Sequence, residues 1–380
     1  MKLFKEKPLV FMALASMAFT LFCFTSPVTA EQLSNQELGK RITQLEQQLK
    51  GSGEGGTSLE WLDRISISGV IEVEAGFESL NPDDPDAEDE DSSDLSLATV
   101  ELGIEGEISD HVNGSMLLLY EDGEDIVFDE AFITLKGGDD MPLYLKAGEF
   151  YLPFGSFESN MISDPLTLEI GETRETALEI GYEMAGFYCS GYLFNGDVDE
   201  DGEDNDVDNF GLNAGYTMEN DAMTMDVGIS YINNIIDSNG LNDILDNAEE
   251  DIALDEYVGG IALHAVLNIG PVTLIGEYVG ATDDPKWNNH DFGISGEGDK
   301  PSAWNTEIGY TFEMAGKETV VGVAYQGTDN MEDELPETRM SGAIAVGILK
   351  NTTLALEYLH DNYENDDEAD VVTAQLAIEF

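Results

Sequence analysis

Apolar and polar residues alternate with a period of two through most of the chain from Arg64 onward. In the first such stretch the apolar positions hold Ile65, Ile67, Ile71, Val73, Ala75 and Phe77, with mostly polar residues between them. Successive side chains of an extended strand point to opposite faces, so this pattern predicts strands with one apolar and one polar face. A soluble β-sandwich alternates in the same way, and the alternation alone does not decide the architecture.

The connections between the predicted strands are more informative. We predict sixteen strands, at residues 64–78, 95–109, 111–121, 126–136, 142–152, 174–183, 186–195, 208–219, 222–234, 257–268, 271–281, 301–313, 317–327, 336–348, 352–362 and 370–380. Short turns alternate with mostly longer, acidic segments, so short turns collect at one end and long loops at the other. Tilted strands of roughly 9 to 11 residues can cross hydrocarbon. This asymmetry and the even strand number are typical of outer-membrane barrels. The sequence therefore predicts an all-β fold, a transmembrane antiparallel β-barrel within residues 61–380.

The first thirty residues have the features of a cleaved secretory signal peptide. A basic start is followed by an apolar core from Leu9 to Phe24 and by a small-residue site at Val28–Ala30. Export, the predicted barrel and a final alternating strand that ends on Phe380 together predict the outer membrane of a Gram-negative bacterium. Membrane lipids and lipopolysaccharide are then the expected surroundings.

Two short segments separate the signal peptide from the predicted barrel. In residues 31–50 the apolar side chains recur at helical spacing, at Leu38, Ile42, Leu45 and Leu49. This stripe predicts a short periplasmic coiled-coil helix, which could pack on the body of the protein or join copies into a homotrimer. Residues 51–60 are Gly-rich and predict a flexible linker.

Composition excludes one class of partner. The 380 residues include 79 Asp and Glu against 15 Lys and Arg, a formal net charge of -64. Such a polyanion is not expected to bind a phosphate backbone, so we predict no nucleic-acid partner. Hydrophobic residues make up 42% of the chain, which is too much for a disordered acidic chain.

Several segments, most of them in the first half of the chain, carry a resemblance to a known family. They are Leu59–Gly69 with Ile71–Ala75, Ala98–Gly103, Asp129–Leu135, Pro153–Ser159, Ser163–Glu169 and Phe194–Glu200. In these segments the chain resembles the LbtU-type siderophore porins. The resemblance implies a sixteen-stranded outer-membrane porin associated with uptake of iron-siderophore complexes without an energised gate, and it supplies no substrate-binding residues.

A barrel of about sixteen strands encloses water, so passage of small solutes is the function that the predicted fold favours. The connection from Pro153 to Thr173 is rich in apolar residues, which suits a loop that folds inward. We predict that it forms the pore constriction, with Arg174 at its exit and four acidic residues facing the lumen: Glu158, Asp164, Glu169 and Glu172. The alternative is a loop that packs over the mouth of the barrel.

Acidic side chains dominate the positions that we predict to face water, among them Glu72, Glu74, Glu101, Glu105, Glu107, Asp226 and Glu277. Rings of carboxylates favour cations. A general cation-preferring diffusion porin is therefore the alternative to a siderophore porin. A ferric chelate fits such a lumen if it is neutral or cationic, or if Lys146 and Arg339 form a local basic track.

One predicted extracellular loop has the spacing of a calcium-binding loop. Acidic residues stand at Asp197, Asp199, Asp201, Glu203 and Asp208, with Gly202 at the sixth position. Strands flank the loop and Asp replaces the usual Glu at its twelfth position, so the match is partial. We predict no organic cofactor, and calcium or another divalent cation in the extracellular loops is the metal hypothesis.

An outer-membrane hydrolase is a functional alternative from another class. Such an enzyme needs a nucleophile, a histidine and an acid close together, and the chain offers His111, His264, His290 and His360 but no Gly-x-Ser-x-Gly motif. We predict that the protein is not an enzyme. A structural surface protein would be favoured if the barrel were occluded.

Overall fold

The computed structural model describes residues 64–380 except for 84–86, 88–89, 139–140, 199, 201–206, 247–252, 290–293 and 332–333. The signal peptide, helix and linker that we predict at residues 1–60 lie outside the described residues. The strands are β1 (Ile65–Asn81), β2 (Glu90–Ser109), β3 (Val112–Glu121), β4 (Val127–Lys136), β5 (Leu143–Tyr151), β6 (Arg174–Met184), β7 (Phe187–Phe194), β8 (Asn209–Asn220), β9 (Met223–Ile232), β10 (Ala253–Leu254), β11 (Gly260–Ile269), β12 (Val272–Ala281), β13 (Lys286–Asn289), β14 (Ile294–Glu297), β15 (Ser302–Met314), β16 (Lys317–Asp329), β17 (Thr338–Leu349), β18 (Thr352–Asn362) and β19 (Glu368–Glu379). The helices are α1 (Leu166–Gly171) and α2 (Asn239–Asp246).

Within the described ranges, sixteen strands close into one antiparallel barrel. Their order around the barrel is β1, β19, β18, β17, β16, β15, β12, β11, β9, β8, β7, β6, β5, β4, β3 and β2. The predicted sixteen-stranded antiparallel barrel is thus confirmed. The remaining strands β10, β13 and β14 form a small separate sheet. The main boundary difference is at β1 and β2, which pair as far as Leu80 and Glu90 and so extend further toward the long loops than predicted.

The barrel closes between its first and last strands. Gly69 and Phe380 exchange two backbone hydrogen bonds of 2.9 and 3.0 Å. The Phe380 ring lies against Gly69, where a Cβ atom would stand 2.6 Å from Cζ of that ring. A glycine is needed here because a side chain would occupy the space of the terminal ring. Closure leaves no free edge strand in the barrel.

The outward face of the barrel is apolar, with aromatic residues near both ends. Large apolar side chains such as Ile180, Leu212, Ile229, Ile308 and Val323 are exposed on this face. Outward-facing ring pairs lie near the short turns (Phe187 with Tyr216, centroids 4.7 Å apart) and near the long loops (Trp304 with Tyr325, 5.0 Å). An apolar belt between two aromatic bands matches the two interfaces of a membrane.

No helix among the described residues is long and apolar enough to cross a membrane.

The buried apolar core lies inside the barrel and joins wall residues to loop residues. The wall supplies Phe150, Tyr192, Phe194, Ile232, Ala262, Val279 and Ala303, and the loops supply Leu152, Phe154, Leu166, Ile170, Ile235, Ile236 and Leu241.

Candidate functional site

The connection between β5 and β6, residues 152–173, folds into the barrel and lies across its inner wall; we name it the inner loop. Its backbone reaches β9 where Gly155 N donates to Ser230 Oγ (3.1 Å), and it reaches β16 where Leu166 N donates to Gln326 Oε1 (2.7 Å). Near its start, Pro153 O accepts a bond from Asn213 Nδ2 (3.1 Å). The inner loop therefore runs along the inner wall from β5 past β8 and β9 to β16.

Three inward-facing glutamates hold most of the inner loop. Glu277 on β12 accepts bonds from Ser156 N, Phe157 N and Thr167 Oγ1 at 2.7 to 3.3 Å. Glu307 on β15 accepts from Ser159 Oγ, Asn160 N and Asn160 Nδ2 at 2.7 to 3.0 Å. Glu357 on β18 accepts from Ile162 N, Ser163 N and Ser163 Oγ. We call Glu277, Glu307 and Glu357 the anchor carboxylates.

The anchor carboxylates accept hydrogen bonds from backbone N–H groups of the inner loop that have no partner in a β-ladder. A loop inside a barrel has N–H groups without ladder partners, and a buried N–H without a partner is costly. A carboxylate is a strong acceptor that can serve several N–H groups at once. The apolar side of the loop then packs on the wall, with Leu166 and Ile170 of α1 fully buried.

The inner loop covers one side of the lumen and leaves the other open. Inward residues on the covered side are almost inaccessible: Glu277, Glu307 and Glu357 are 2 to 6% exposed. On β1 and β2, in contrast, Ser66, Ser68, Glu78, Glu105 and Glu107 are exposed and Glu72, Glu74 and Glu101 are half-buried. The free passage therefore runs along the β1 and β2 wall, and the charged side chains of these two strands are all acidic.

The four predicted lumen acids of the inner loop differ in burial. Glu158 and Asp164 are exposed, whereas Glu169 and Glu172 are half-buried. Burial raises the pKa of Glu172 to about 7, and repulsion from nearby carboxylates adds to this shift, from Asp164, Asp129, Glu169 and Glu121. The inner loop thus presents a group of carboxyls, one of which changes charge near neutral pH.

The basic residues that we predicted near the pore are all engaged. Arg174, at the first position of β6, donates from Nη1 to Asp129 Oδ1 (2.9 Å). Arg339 on β17 forms a bidentate pair with Asp361, at 2.8 and 2.9 Å. These ion pairs cancel the two guanidinium charges locally.

Lys146 on β5 has a different environment. Its Nζ atom stands 3.9 and 3.8 Å from the ring centroids of Phe132 and Phe150, as in a cation–π contact. Lys146 and Arg339 both face inward, but each has its own partners. The two side chains do not form a shared track in this structure.

The structure corrects the expectation for Glu277. We predicted that this residue faces water with Glu72 and Glu74. It does face inward, but the inner loop covers it and its side chain is an anchor carboxylate. Sequence analysis also did not identify Glu307 and Glu357 as anchors.

The calcium-like loop lies largely outside the described residues, including Asp199, Asp201 and Glu203. Asp208 accepts a bond from Tyr257 Oη (3.1 Å), and Asp197 N donates to Asp237 Oδ1 (2.7 Å). Among the described residues no group of three or more His, Cys, Asp or Glu side chains could hold a metal ion. Calcium binding stays a prediction.

Of the four histidines considered for a hydrolase, His264 on β11 faces the lumen. His264 Nε2 lies 3.3 Å from Tyr188 Oη and 3.6 Å from Asp226 Oδ1. Serine and cysteine are not among these partners, and Cys189 lies on the outward face as an exposed free thiol.

A closed barrel of this size with a loop folded against its inner wall has the architecture of an outer-membrane porin. The fold matches OprB of Pseudomonas putida with a TM-score of 0.58 at 11% identity, over 86% of this chain and 97% of OprB. It also matches the outer-membrane channel DcaP of Acinetobacter baumannii with a TM-score of 0.58 at 10% identity, over 83% and 97% of the two chains. These similarities establish the porin fold.

The chain belongs to the UPF0422 protein family. It is 30% identical over 333 residues to a UPF0422 protein of Coxiella burnetii (strain RSA 493 / Nine Mile phase I). The matched region covers 84% of this chain and 68% of that protein. A UPF0422 protein of Legionella pneumophila (strain Paris) is 25% identical over 330 residues, and the match spans 78% of this chain but 59% of that relative. No protein-family model matches the sequence. The solved structures support the porin part of the predicted resemblance, and the siderophore part stays a prediction.

Proposed function

We propose that the protein is a passive channel of the Gram-negative outer membrane and that it prefers cations. The observation that carries the proposal is the division of the lumen: the inner loop fills one side, and every charged residue of the β1 and β2 wall on the open side is acidic. The apolar outward belt between aromatic bands supports a membrane location.

The charge balance of the passage supports the preference for cations. Asp164 of the inner loop lies close enough to Glu74 on the wall, and Glu172 close enough to Glu121, for their charges to repel. The nearby guanidinium groups of Arg174 and Arg339 are paired with Asp129 and Asp361. In a narrow passage with low-dielectric walls, an uncompensated negative field attracts cations and repels anions.

Iron-siderophore uptake is the finer proposal that the sequence resemblance suggests. The acidic passage restricts this role to chelates that are neutral or cationic. An anionic ferric chelate would meet the carboxylates of the inner loop and of β1 and β2 on its way through.

Recordings in planar bilayers test the proposal. We expect the protein purified from outer membranes to give ohmic channels, and a salt gradient across the bilayer to give a reversal potential of the sign set by the cation. Neutral and anionic ferric chelates of similar size are then added, and block by the neutral chelate alone would support the siderophore role. Absence of conductance, or a preference for anions, would overturn the proposal and favour a surface protein.

A further inference from the structure

A second loop supports the inner loop from the side of the long connections. The connection between β9 and β11 enters the barrel, where Ile235, Ile236 and Leu241 join the same buried core as Leu166 and Ile170 of α1. Its helix α2 begins directly beside the end of α1. The inner loop and this second loop therefore share one buried core.

Asn239, the first residue of α2, bonds to both sides of Thr173. Its backbone N–H donates to Glu172 O (2.8 Å), and its side-chain Oδ1 accepts from Arg174 N (3.1 Å). These bonds satisfy a free carbonyl beyond the C-terminal end of α1 and the first N–H of β6. They fix the backbone at the place where the inner loop rejoins the wall.

Gly240 lets α2 approach this closely. A Cβ atom on Gly240 would stand 1.9 Å from Glu169 O, a separation that no side chain can accept. Glycine is therefore required for the first turn of α2 to lie on α1. Any larger residue has to push the two helices apart.

The backbone segment that Asn239 fixes, residues 172–174, carries the charged side chains of Glu172 and Arg174. Glu172 faces the lumen, and Arg174 pairs with Asp129 at the wall. We propose that Asn239 and Gly240 are positioning residues of the pore, which set the places of Glu172 and Arg174 and so tune ion selectivity. This inference rests on the proposed function, because selectivity has meaning only for a conducting channel.

Two variants with matched controls test the inference. Gly240→Ala displaces α2, and Gly114→Ala is its control, because the methyl group there would point into open space on the outward face of β3, away from the passage. Asn239→Ala removes the bond to Arg174 N. Its control is Asn220→Ala, which removes an Oδ1 atom that accepts two backbone bonds in a turn at the other end of the barrel.

The readout is the reversal potential in a salt gradient as a function of pH. Burial raises the pKa of Glu172, so a displaced Glu172 regains water and titrates closer to an ordinary carboxyl. We expect Gly240→Ala to move the midpoint of the selectivity change by roughly one to two pH units toward acid. Asn239→Ala should move it in the same direction by less, and neither control should move it.

The outcomes separate the two proposals. Identical pH profiles for the wild type and both test variants would overturn the inference while the channel function stands. If the wild type does not conduct, the proposed function fails. The rate of hydrogen exchange of the backbone amides 166–174 then tests whether Gly240 positions the inner loop. Faster exchange in Gly240→Ala than in Gly114→Ala supports the positioning role, and equal exchange refutes it. Should Gly240→Ala fail to assemble, Asn239→Ala carries the same test.

Discussion

Glu277 holds the inner loop at two separated points, so the Glu277→Gln substitution is expected to loosen it. The carboxylate accepts from Ser156 N and Phe157 N near the start of the loop and from Thr167 Oγ1 in α1. A glutamine has one acceptor oxygen, and its NH₂ group would face N–H donors. The substitution therefore removes acceptors from a site that is 6% exposed, where water cannot replace them.

The size of the effect follows from these bonds. A hydrogen bond to a charged group contributes about 1.5 to 3 kcal/mol. Glutamine can keep part of this, and removal of a buried charge offsets part of the loss. We expect a net weakening of about 1 to 3 kcal/mol, which raises the population of a released inner loop roughly 5- to 150-fold.

Single-channel recording measures this population directly. A released loop widens the passage, so Glu277→Gln should show more frequent transitions to higher-conductance levels than the wild type. Glu105→Gln is the matched control, because it removes one lumen carboxylate that is exposed on β2 and separates the effect of charge from that of anchoring. If such transitions are no more frequent in Glu277→Gln than in Glu105→Gln, the anchoring argument is wrong.

Four further predictions concern charge, pairing, closure and metal. Because the pKa of Glu172 is about 7, its carboxyl is mostly charged above that pH and mostly neutral below it; cation preference should fall between pH 8 and 6, and the step should be smaller in Glu172→Gln. Arg339→Gln leaves Asp361 buried without its partner, so its urea midpoint should drop by the equivalent of about 3 to 5 kcal/mol, and an unchanged midpoint would contradict the role of the pair. Gly69→Ala should reduce the yield of heat-modifiable, folded barrel on unheated gels, while Gly114→Ala, whose methyl group meets open space, should not. If the loop with Asp197 and Asp208 binds calcium, EDTA should lower the unfolding temperature of the wild type but not that of a variant with both residues changed to Asn.

The strands could be predicted from the sequence because their two faces have different chemistry. On β12, for example, Leu274 and Tyr278 face outward and Glu277 faces inward, as the alternation indicates. The inward fold of the inner loop could be predicted for a similar reason, because its apolar side chains have to be buried away from water. Both inferences depend on properties of neighbouring residues along the chain.

The alternation predicts which side chains face inward, but it does not predict whether water or another segment of the chain lies against them. Glu72 and Glu277 occupy equivalent positions in their strands, yet Glu72 is half-buried beside the passage and Glu277 is covered by the inner loop. The difference arises from a segment more than one hundred residues away, which strand periodicity does not record. One usable sign was present: a long loop with many free N–H groups needs acceptors on the wall that it covers.

The second supporting loop was missed although its sequence carries the same sign as the first. Ile235, Ile236 and Leu241 are apolar residues in a long connection, as Phe154 and Leu166 are in the inner loop. The close contact at Gly240 could not be predicted, because it depends on where two helices from separate loops meet.

The off-centre passage has a consequence for how such a protein could change its solute. The wall formed by β1 and β2 lines the passage and contacts the solute. The wall from β9 to β18 instead holds the inner loop through hydrogen bonds. Substitutions of the inward carboxylates on β1 and β2 should alter what passes at little cost to folding, and substitutions of the anchor carboxylates should do the reverse. A designer who wants an anion channel would therefore begin by replacing carboxylates on β1 and β2 with lysine, and would leave Glu277, Glu307 and Glu357 untouched.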